Sequence, residues 1–264
     1  MGDFITRKFL AKVREAVSKA GEIILAHREK PKNIRYKGRV DLVTDTDLAV
    51  ENILKKNLSR ILPQASFLAE ETAGQTEPGD LTWIIDPLDG TTNFAHDLPM
   101  VAISVALWRK GRVEMGIIHL PVLDEMFYAV RGQGAYLNGK PISVSQTTDP
   151  EKALVATGFP YAIRENIRPI MENLENVMVN CQGVRRMGSA AVDLAYTALG
   201  RFDAFFEAML HPWDVAAGWL LVLEAGGRVS QYDHAKEFNL NAKTILAGNE
   251  TLQKAISGML RKSP

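Results

Sequence analysis

Apolar residues recur at helical spacing from about residue 5 to 28: Ile5, Phe9, Val13, Ala16, Val17, Ala20, Ile23 and Ile24, with His27 in step. Arg7, Lys8, Lys12, Arg14, Glu15, Lys19 and Glu22 fall mostly on the other face, so an amphipathic helix ending at Pro31 is expected. A second helix is written in Val50, Ile53, Leu54, Leu58, Ile61 and Leu62 and is stopped by Pro63. Thr44 or Thr46 can cap it, and the acids of its first turn suit the helix dipole. Between the two helices, Asn33 to Val43 reads as a basic irregular segment or hairpin turning at Gly38. Phe67-Leu68-Ala69 is a short apolar run that ends in Glu70-Glu71.

Trp83-Ile84-Ile85 has strand character and delivers Asp86 to its end. Pro87 offers no N–H, so the ladder is expected to stop there. Asp89-Gly90 follows, and Thr91-Thr92 present hydroxyls and free N–H groups as a helix start does. Residues 101–112 and 113–120 form a hairpin signal around Lys110-Gly111-Arg112; Glu125 to Val130 and Ile142 to Ser145 read as further strands, and Asn138-Gly139 as a tight turn. The stretch 81–145 thus predicts a largely antiparallel sheet. Thr147-Thr148-Asp149-Pro150 is the best internal boundary, dividing the chain into halves of roughly 1–148 and 149–264 within a single domain. Strands and helices then alternate. Ala153 to Thr157 is a strand, and Arg164 to Val179 is a helix with Ile167, Ile170, Met171, Leu174 and Met178 on its apolar face. Small residues Gly188-Ser189-Ala190 lead a helix that Gly200 closes. A strand from Phe202 to Glu207 and a helix opened by Trp213-Asp214 follow. Two short strands, Arg228 to Gln231 and Thr244 to Ala247, precede a last helix from Glu250 to Arg261. The class is mixed, α+β with α/β character.

Composition narrows the function classes. With 264 residues, 46% of them hydrophobic, the chain can bury a substantial core. Lys plus Arg equals Asp plus Glu at 31 each, which gives no support for direct nucleic-acid or membrane-surface binding. Cys181 is the only cysteine, so no internal disulfide forms; this fits a reducing cytoplasm, and the thiol reads as a small buried hydrophobe. No apolar run approaches the roughly 18 residues of a membrane span, and charges interrupt the N-terminus where a leader would be apolar. His27 reads as a packed or half-exposed helix residue, and His96 and His119 lack partners at ligand spacing and read as structural.

The chemistry sits around Asp86 and Asp89. Two carboxylates about 4 Å apart repel by roughly 4 kcal/mol at an effective dielectric near 20, and a helix start beside them attracts an anion such as phosphate. A hard divalent cation between the groups reverses the sign, and Mg²⁺ takes oxygen ligands of this kind. The competing reading is a capped strand-to-helix turn with solvated acids. No Gly-x-Ser-x-Gly elbow, P-loop or zinc spacing is present.

Asp86-Pro87-Leu88-Asp89-Gly90-Thr91-Thr92-Asn93-Phe94 resembles the signature of the inositol monophosphatase family. A second signature, Trp213-Asp214-Val215-Ala216-Ala217-Gly218 followed by Glu224-Ala225-Gly226-Gly227, resembles that family's C-terminal motif, and the two stand in matching order across nearly the whole chain. The resemblance implies a layered α-β-α-β-α sandwich. It also implies a homodimer, and lithium-sensitive, Mg²⁺-dependent hydrolysis of a phosphorylated polyol or sugar such as inositol-1-phosphate. Two or three Mg²⁺ ions, or Mn²⁺ in their place, are implied on Glu70, Asp86, the Leu88 carbonyl, Asp89 and Asp214. Glu70 would also orient the attacking water, with Glu71 as a secondary partner, and Thr91, paired with Asp47, would align that water. The N–H groups of Gly90 and Thr91 would hold phosphate. Asp89, Asp214, Glu207 and Gly188-Ser189-Ala190 would contact substrate, close helix packing being the other explanation of the small residues. Asp45 stands where many relatives are not acidic and is left out. Arg186 holds a helix end or a dimer contact. Fructose-1,6-bisphosphate and 3′-phosphoadenosine-5′-phosphate are alternative substrates. Arg185-Arg186-Met187-Gly188-Ser189-Ala190-Ala191 resembles the bacterial branch, in which members can bind the RNA-synthesis machinery.

Overall fold

The computed structural model describes residues 5–30, 34–36, 42–72, 74, 77–160 and 163–261. Its first helix, α1 (Arg7–Arg28), is capped by Thr6, whose hydroxyl accepts from the Phe9 N–H, and it buries Val13, Ala16, Val17, Ala20 and Ile24. β1 (Ile34–Tyr36) pairs antiparallel with β2 (Leu42–Thr44), while the Lys37 and Gly38 of the expected turn lie outside the described residues. Thr44 then starts α2 (Asp45–Ile61) through a capping box with Asp47.

A seven-stranded sheet follows, in the order β3-β4-β5-β6-β7-β8-β9. Its strands are β3 (Ser66–Ala69), β4 (Leu81–Asp89), β5 (Ala102–Arg109), β6 (Arg112–Leu120), β7 (Glu125–Val130), β8 (Ala135–Leu137) and β9 (Lys140–Pro141). Only the β3–β4 pair is parallel. A short helix, α3 (Thr91–Ala95), leaves β4 directly. The second half contributes β10 (Leu154–Thr157), α4 (Ile163–Asn180), β11 (Gly183–Arg185), α5 (Ala190–Ala198), β12 (Ala204–Ala208), α6 (Pro212–Glu224), β13 (Arg228–Ser230), β14 (Thr244–Gly248) and α7 (Glu250–Met259). These strands form a five-stranded sheet ordered β11-β10-β12-β14-β13.

The layers are α1 and α2, the large sheet, α5 and α6, the small sheet, then α4 and α7. Both faces of the large sheet are buried, so β4 reads as a continuous apolar run rather than an alternating one. Trp83, Ile85 and Leu88 pack toward α1 and α2, whereas Ile84 joins the core shared with α5 and α6. That shared core carries residues of both halves of the chain, among them Phe127, Ala191, Ala217 and Phe205.

Four expectations are corrected. β4 does not stop at Pro87: it runs on to Asp89, with its register against β5 shifting between Asp86 and Asp89. A bulge tolerates a residue without an N–H, so proline fits there. Ile142 to Ser145 is not a strand, although the Ile142 N–H donates to Ala135 and that of Val144 to Ala225. The apolar face of α4 is not core. Ile167, Met171 and Met178 are exposed, and Asn173 and Val177 are buried instead. Asn173 accepts from the Arg261 N–H at 2.7 Å and Asn176 donates to the Met259 carbonyl at 3.0 Å, so polar contacts tie α4 to the end of α7. Cys181 is half-buried rather than enclosed, and burial pushes its thiol pKa up.

Candidate active site

The site gathers where β3, β4, α3, α5, β12 and α6 end or begin. Asp86 and Asp89 flank the bulge of β4. Gly90 follows with φ of 95°, and a Cβ there would stand 2.8 Å from the Met100 carbonyl, so glycine is required for the chain to swing into α3. Glu70 is set beside β4 by its own N–H, which donates to the Ile85 carbonyl at 3.1 Å. Asp214 sits in the first turn of α6. It is not the cap residue: His211 is, and Asp214 accepts the His211 N–H at 2.7 Å as the other arm of the box. Glu207 lies near the end of β12.

Asp86, Asp89 and Asp214 are anchored by backbone. Asp86 Oδ1 accepts the Leu88 N–H at 3.0 Å, and Asp89 Oδ2 accepts the Ala191 N–H at 2.6 Å and the Ser189 hydroxyl at 2.8 Å. One oxygen of Asp86 and of Asp89 is thereby oriented. Thr91 Oγ1 lies 3.1 Å from both Asp47 Oδ1 and the Leu88 carbonyl. A cleft is lined by Asp89, Gly90, Arg186, Ser189, Glu207 and Asp214, with Gly188 and Ala190 also on its wall. Glu70, Asp86 and Leu88 are not part of that wall. Asp45 is turned away, paired with Arg35 at 3.0 Å.

The electrostatics are those of crowded acids. Burial, then repulsion from Glu70, Asp89 and Asp214, holds the Asp86 carboxyl well above the usual range. Asp214 is raised in the same direction by burial and by Asp89, against the His211 N–H. Burial lifts Asp89 to about 6, opposed by the Ala191 N–H, the Ser189 hydroxyl and the Arg186 charge. Glu207 is pushed up to about 8 by burial and Asp89, again against Arg186.

Glu207 supplies a prediction. Its unfolded value is near 4.5 and its folded value about 8. The metal-free protein therefore loses stability as pH climbs between those values and keeps the full penalty above them, on the order of a few kcal/mol at about 1.4 per unit. Urea denaturation in chelator will show Glu207→Gln more stable than the parent at pH 9, with the gap closing toward pH 5. A gap independent of pH would remove this account of Glu207.

Arg186 and Asp193 were missed as parts of the site. Arg186 lowers the pKa of Asp89, Asp193 and Glu207, so its charge serves the cleft. Asp193 is buried within α5, its Oδ1 has no hydrogen-bond partner among the described residues, and burial, Glu207 and Asp89 raise it well above the usual range. The available signal was an acid inside the apolar run Ala190-Ala191-Val192-Asp193-Leu194-Ala195. His27, His96 and His119 stay outside the cleft wall. His119 is buried against Gly21, where an added Cβ would meet its ring at 2.7 Å.

The donor set suits a hard cation, being buried carboxylates that repel one another. Among the described residues, however, no three acidic, histidine or cysteine side chains form a ready-made cage.

The profile of the inositol monophosphatase family matches residues 6–263. An inositol-1-monophosphatase of Mesorhizobium japonicum is 39% identical over 251 residues, covering 94% of each chain. The Nus factor SuhB of Escherichia coli K12 is 41% identical over 250 residues, covering 93% of each. The crystal structure of the extragenic suppressor protein suhB from Bartonella henselae superimposes with a TM-score of 0.90 at 37% identity, over 97% of this chain and 99% of that one. Similarity along the full length, in sequence and in layer order alike, places this chain in the inositol monophosphatase family of phosphatases.

Proposed function

We propose that the chain hydrolyses a phosphate monoester of a small polyol, inositol-1-phosphate being the best candidate, with Mg²⁺ held by Glu70, Asp86, Asp89, Asp214 and the Leu88 carbonyl. The observation that carries this reading is the mutual repulsion of Glu70, Asp86, Asp89 and Asp214 at one buried place. Burying like charges together costs free energy that only a cation or protons relieve. When bound, Mg²⁺ would lower the pKa of a water and stabilise the leaving oxygen. Mn²⁺ has the same preference for oxygen donors. Backbone N–H groups fix one oxygen of Asp86, Asp89 and Asp214, and the other oxygens would serve the cation.

The chain's own groups do the positioning. Thr91 Oγ1, held by Asp47, and Glu70 orient the attacking water. The N–H groups of Gly90 and Thr91 face the phosphoryl oxygens, and Arg186 adds positive charge at the cleft. Glu207, Ser189 and Ala190 line the side where the polyol hydroxyls sit, and a protonated Glu207 can donate to one of them. Exposed Met171, Met178 and Val179 on α4 offer an apolar face for a homodimer. A cytoplasmic location is consistent with the single cysteine and with α1–α7, none of whose described residues form a helix long and apolar enough to cross a membrane.

The test is a kcat/KM panel in Mg²⁺ on inositol-1-phosphate, fructose-1,6-bisphosphate and 3′-phosphoadenosine-5′-phosphate. Inositol-1-phosphate is expected to lead by at least about tenfold, a difference of about 1.4 kcal/mol in transition-state binding. A lead by either other substrate would transfer the assignment to it. A second reading, as a partner of the transcription machinery, is favoured by the relatives named Nus factor SuhB. Capture of that machinery from extract by a catalytically inactive Asp86→Asn chain would support it, and failure to capture would remove it.

A further inference from the structure

Asp47 and Glu51 stand four residues apart on α2, and both are withdrawn from solvent, at 0% and 1% exposure. Such a pair lies on one helix face with Cβ atoms about 6 Å apart. Asp47 accepts from the Thr44 N–H at 2.8 Å, the Thr44 hydroxyl at 2.5 Å and the Thr91 hydroxyl at 3.1 Å. Glu51 reaches the neighbouring segment. Its Oε2 accepts the Glu71 N–H at 2.9 Å, and its Oε1 accepts the Thr72 hydroxyl at 2.5 Å and Lys55 Nζ at 2.8 Å. Lys55 also meets Thr72. The turn held in this way is the one immediately after Glu70.

A buried carboxylate is an expensive way to pack a helix against a sheet. Leu54 and Leu58 of the same helix already do that work, at 0% exposure each. Glu51 instead spends its acceptor capacity on one turn and one lysine. A satisfied buried network of this kind is rigid.

We propose that Glu51 is a positioning residue for the hydrolytic reaction, and that Asp47 and Glu51 together make one turn of α2 the ruler that sets Glu70 against Thr91. The proposal rests on the phosphatase reading above only in assigning Glu70 and Thr91 to the same water. Asp47 fixes the start of α3, Glu51 fixes the end of β3, and the helix backbone between them sets the spacing. A displacement of about 1 Å in such groups costs on the order of a hundredfold in rate.

The test uses the full chain with Glu51→Gln and Thr72→Val. Glu51→Gln keeps shape and one carbonyl acceptor but turns an amide donor toward at least one of the three donors. Thr72→Val removes the hydroxyl, and with it the bonds to Glu51 and Lys55, and leaves the carboxylate in place. Expected for Glu51→Gln is a fall in kcat of about ten- to a hundredfold, a higher Mg²⁺ concentration for half-maximal activity, and a KM within about twofold of the parent. Thr72→Val shifts the same quantities in the same direction by less. Amide hydrogen exchange on metal-free protein supplies a readout independent of turnover. The Glu71 and Thr72 amides should exchange at least about tenfold faster in Glu51→Gln, with the strands of the large sheet unchanged. Unchanged exchange at Glu71 and Thr72 overturns the clamp whether or not the phosphatase reading stands. Faster exchange there with parental kcat and Mg²⁺ response overturns its role in positioning. Should Glu51→Gln fail to fold, Thr72→Val decides alone: parental kcat and Mg²⁺ response in that variant overturn the proposal.

Discussion

Asp86→Asn, and separately Asp214→Asn, will lower turnover by at least about a thousandfold, roughly 4 kcal/mol of transition-state stabilisation, without unfolding the chain. Both acids are anchored through a backbone N–H, from Leu88 and from His211. An asparagine carbonyl can accept the same bond, so the local turns survive the change. What disappears is the negative charge. Both carboxyls are held well above the usual range, burial being the first cause and neighbouring acids the next. In the metal-free parent the ionised forms are therefore penalised, and the penalty grows as pH rises above the unfolded value near 3.8. Removing one charge relieves its neighbours. In chelator at pH 7.5 each variant should resist urea at least as well as the parent, and the thermal upshift that Mg²⁺ gives the parent should shrink or vanish. Near-normal turnover at saturating Mg²⁺ would show that these acids hold no catalytic cation.

The elements most open to sequence reading were those whose signals are local. The hairpin turn at Lys110-Gly111 joins β5 to β6, and Asn138-Gly139 joins β8 to β9; both need positive φ and both have it. The helices α1 and α2 carry a face that this chain itself covers, so periodicity located them. Periodicity on α4 located a face too, but not what covers it, and Met171 and Met178 remain exposed. Pro87 misled because the rule against proline concerns a regular ladder, and β4 bulges there. Within the site, Asp86, Asp89 and Asp214 came from two contiguous motifs. Glu51 and Asp193 have no such motif. They matter because α2 meets the turn after Glu70, and because Asp193 and Arg186 share a buried field with Asp89 and Glu207. Encounters of that kind are set by tertiary packing, which no short window of sequence encodes.

The C-terminal motif also contains residues that are present for packing, and the second large effect follows from them. A Cβ on Gly116 of β6 would stand 2.7 Å from the Ala217 carbonyl oxygen and 2.9 Å from the Ala217 Cα. Both are backbone atoms of α6, so no rotamer change makes room. On the same helix, a Cβ on Gly218 would stand 2.5 Å from the Leu194 Cβ of α5. α6 is thus seated at backbone contact between the large sheet and α5, and its first turn carries Asp214. Gly116→Ala must push α6 outward at a cost of about 3 kcal/mol, the upper end for overpacking a core. Activity should fall further than stability alone accounts for, because Asp214 moves with the helix. Gly258 on α7 is the control, since a Cβ there meets nothing within 4 Å. Gly258→Ala should gain up to about 1 kcal/mol from helix propensity. Urea denaturation of the two variants beside the parent reads both signs at once. A Gly116→Ala chain within about 0.5 kcal/mol of the parent, the ordinary scatter of surface changes, would mean that α6 is not held by this contact, and the seat of Asp214 would have to be sought in α5.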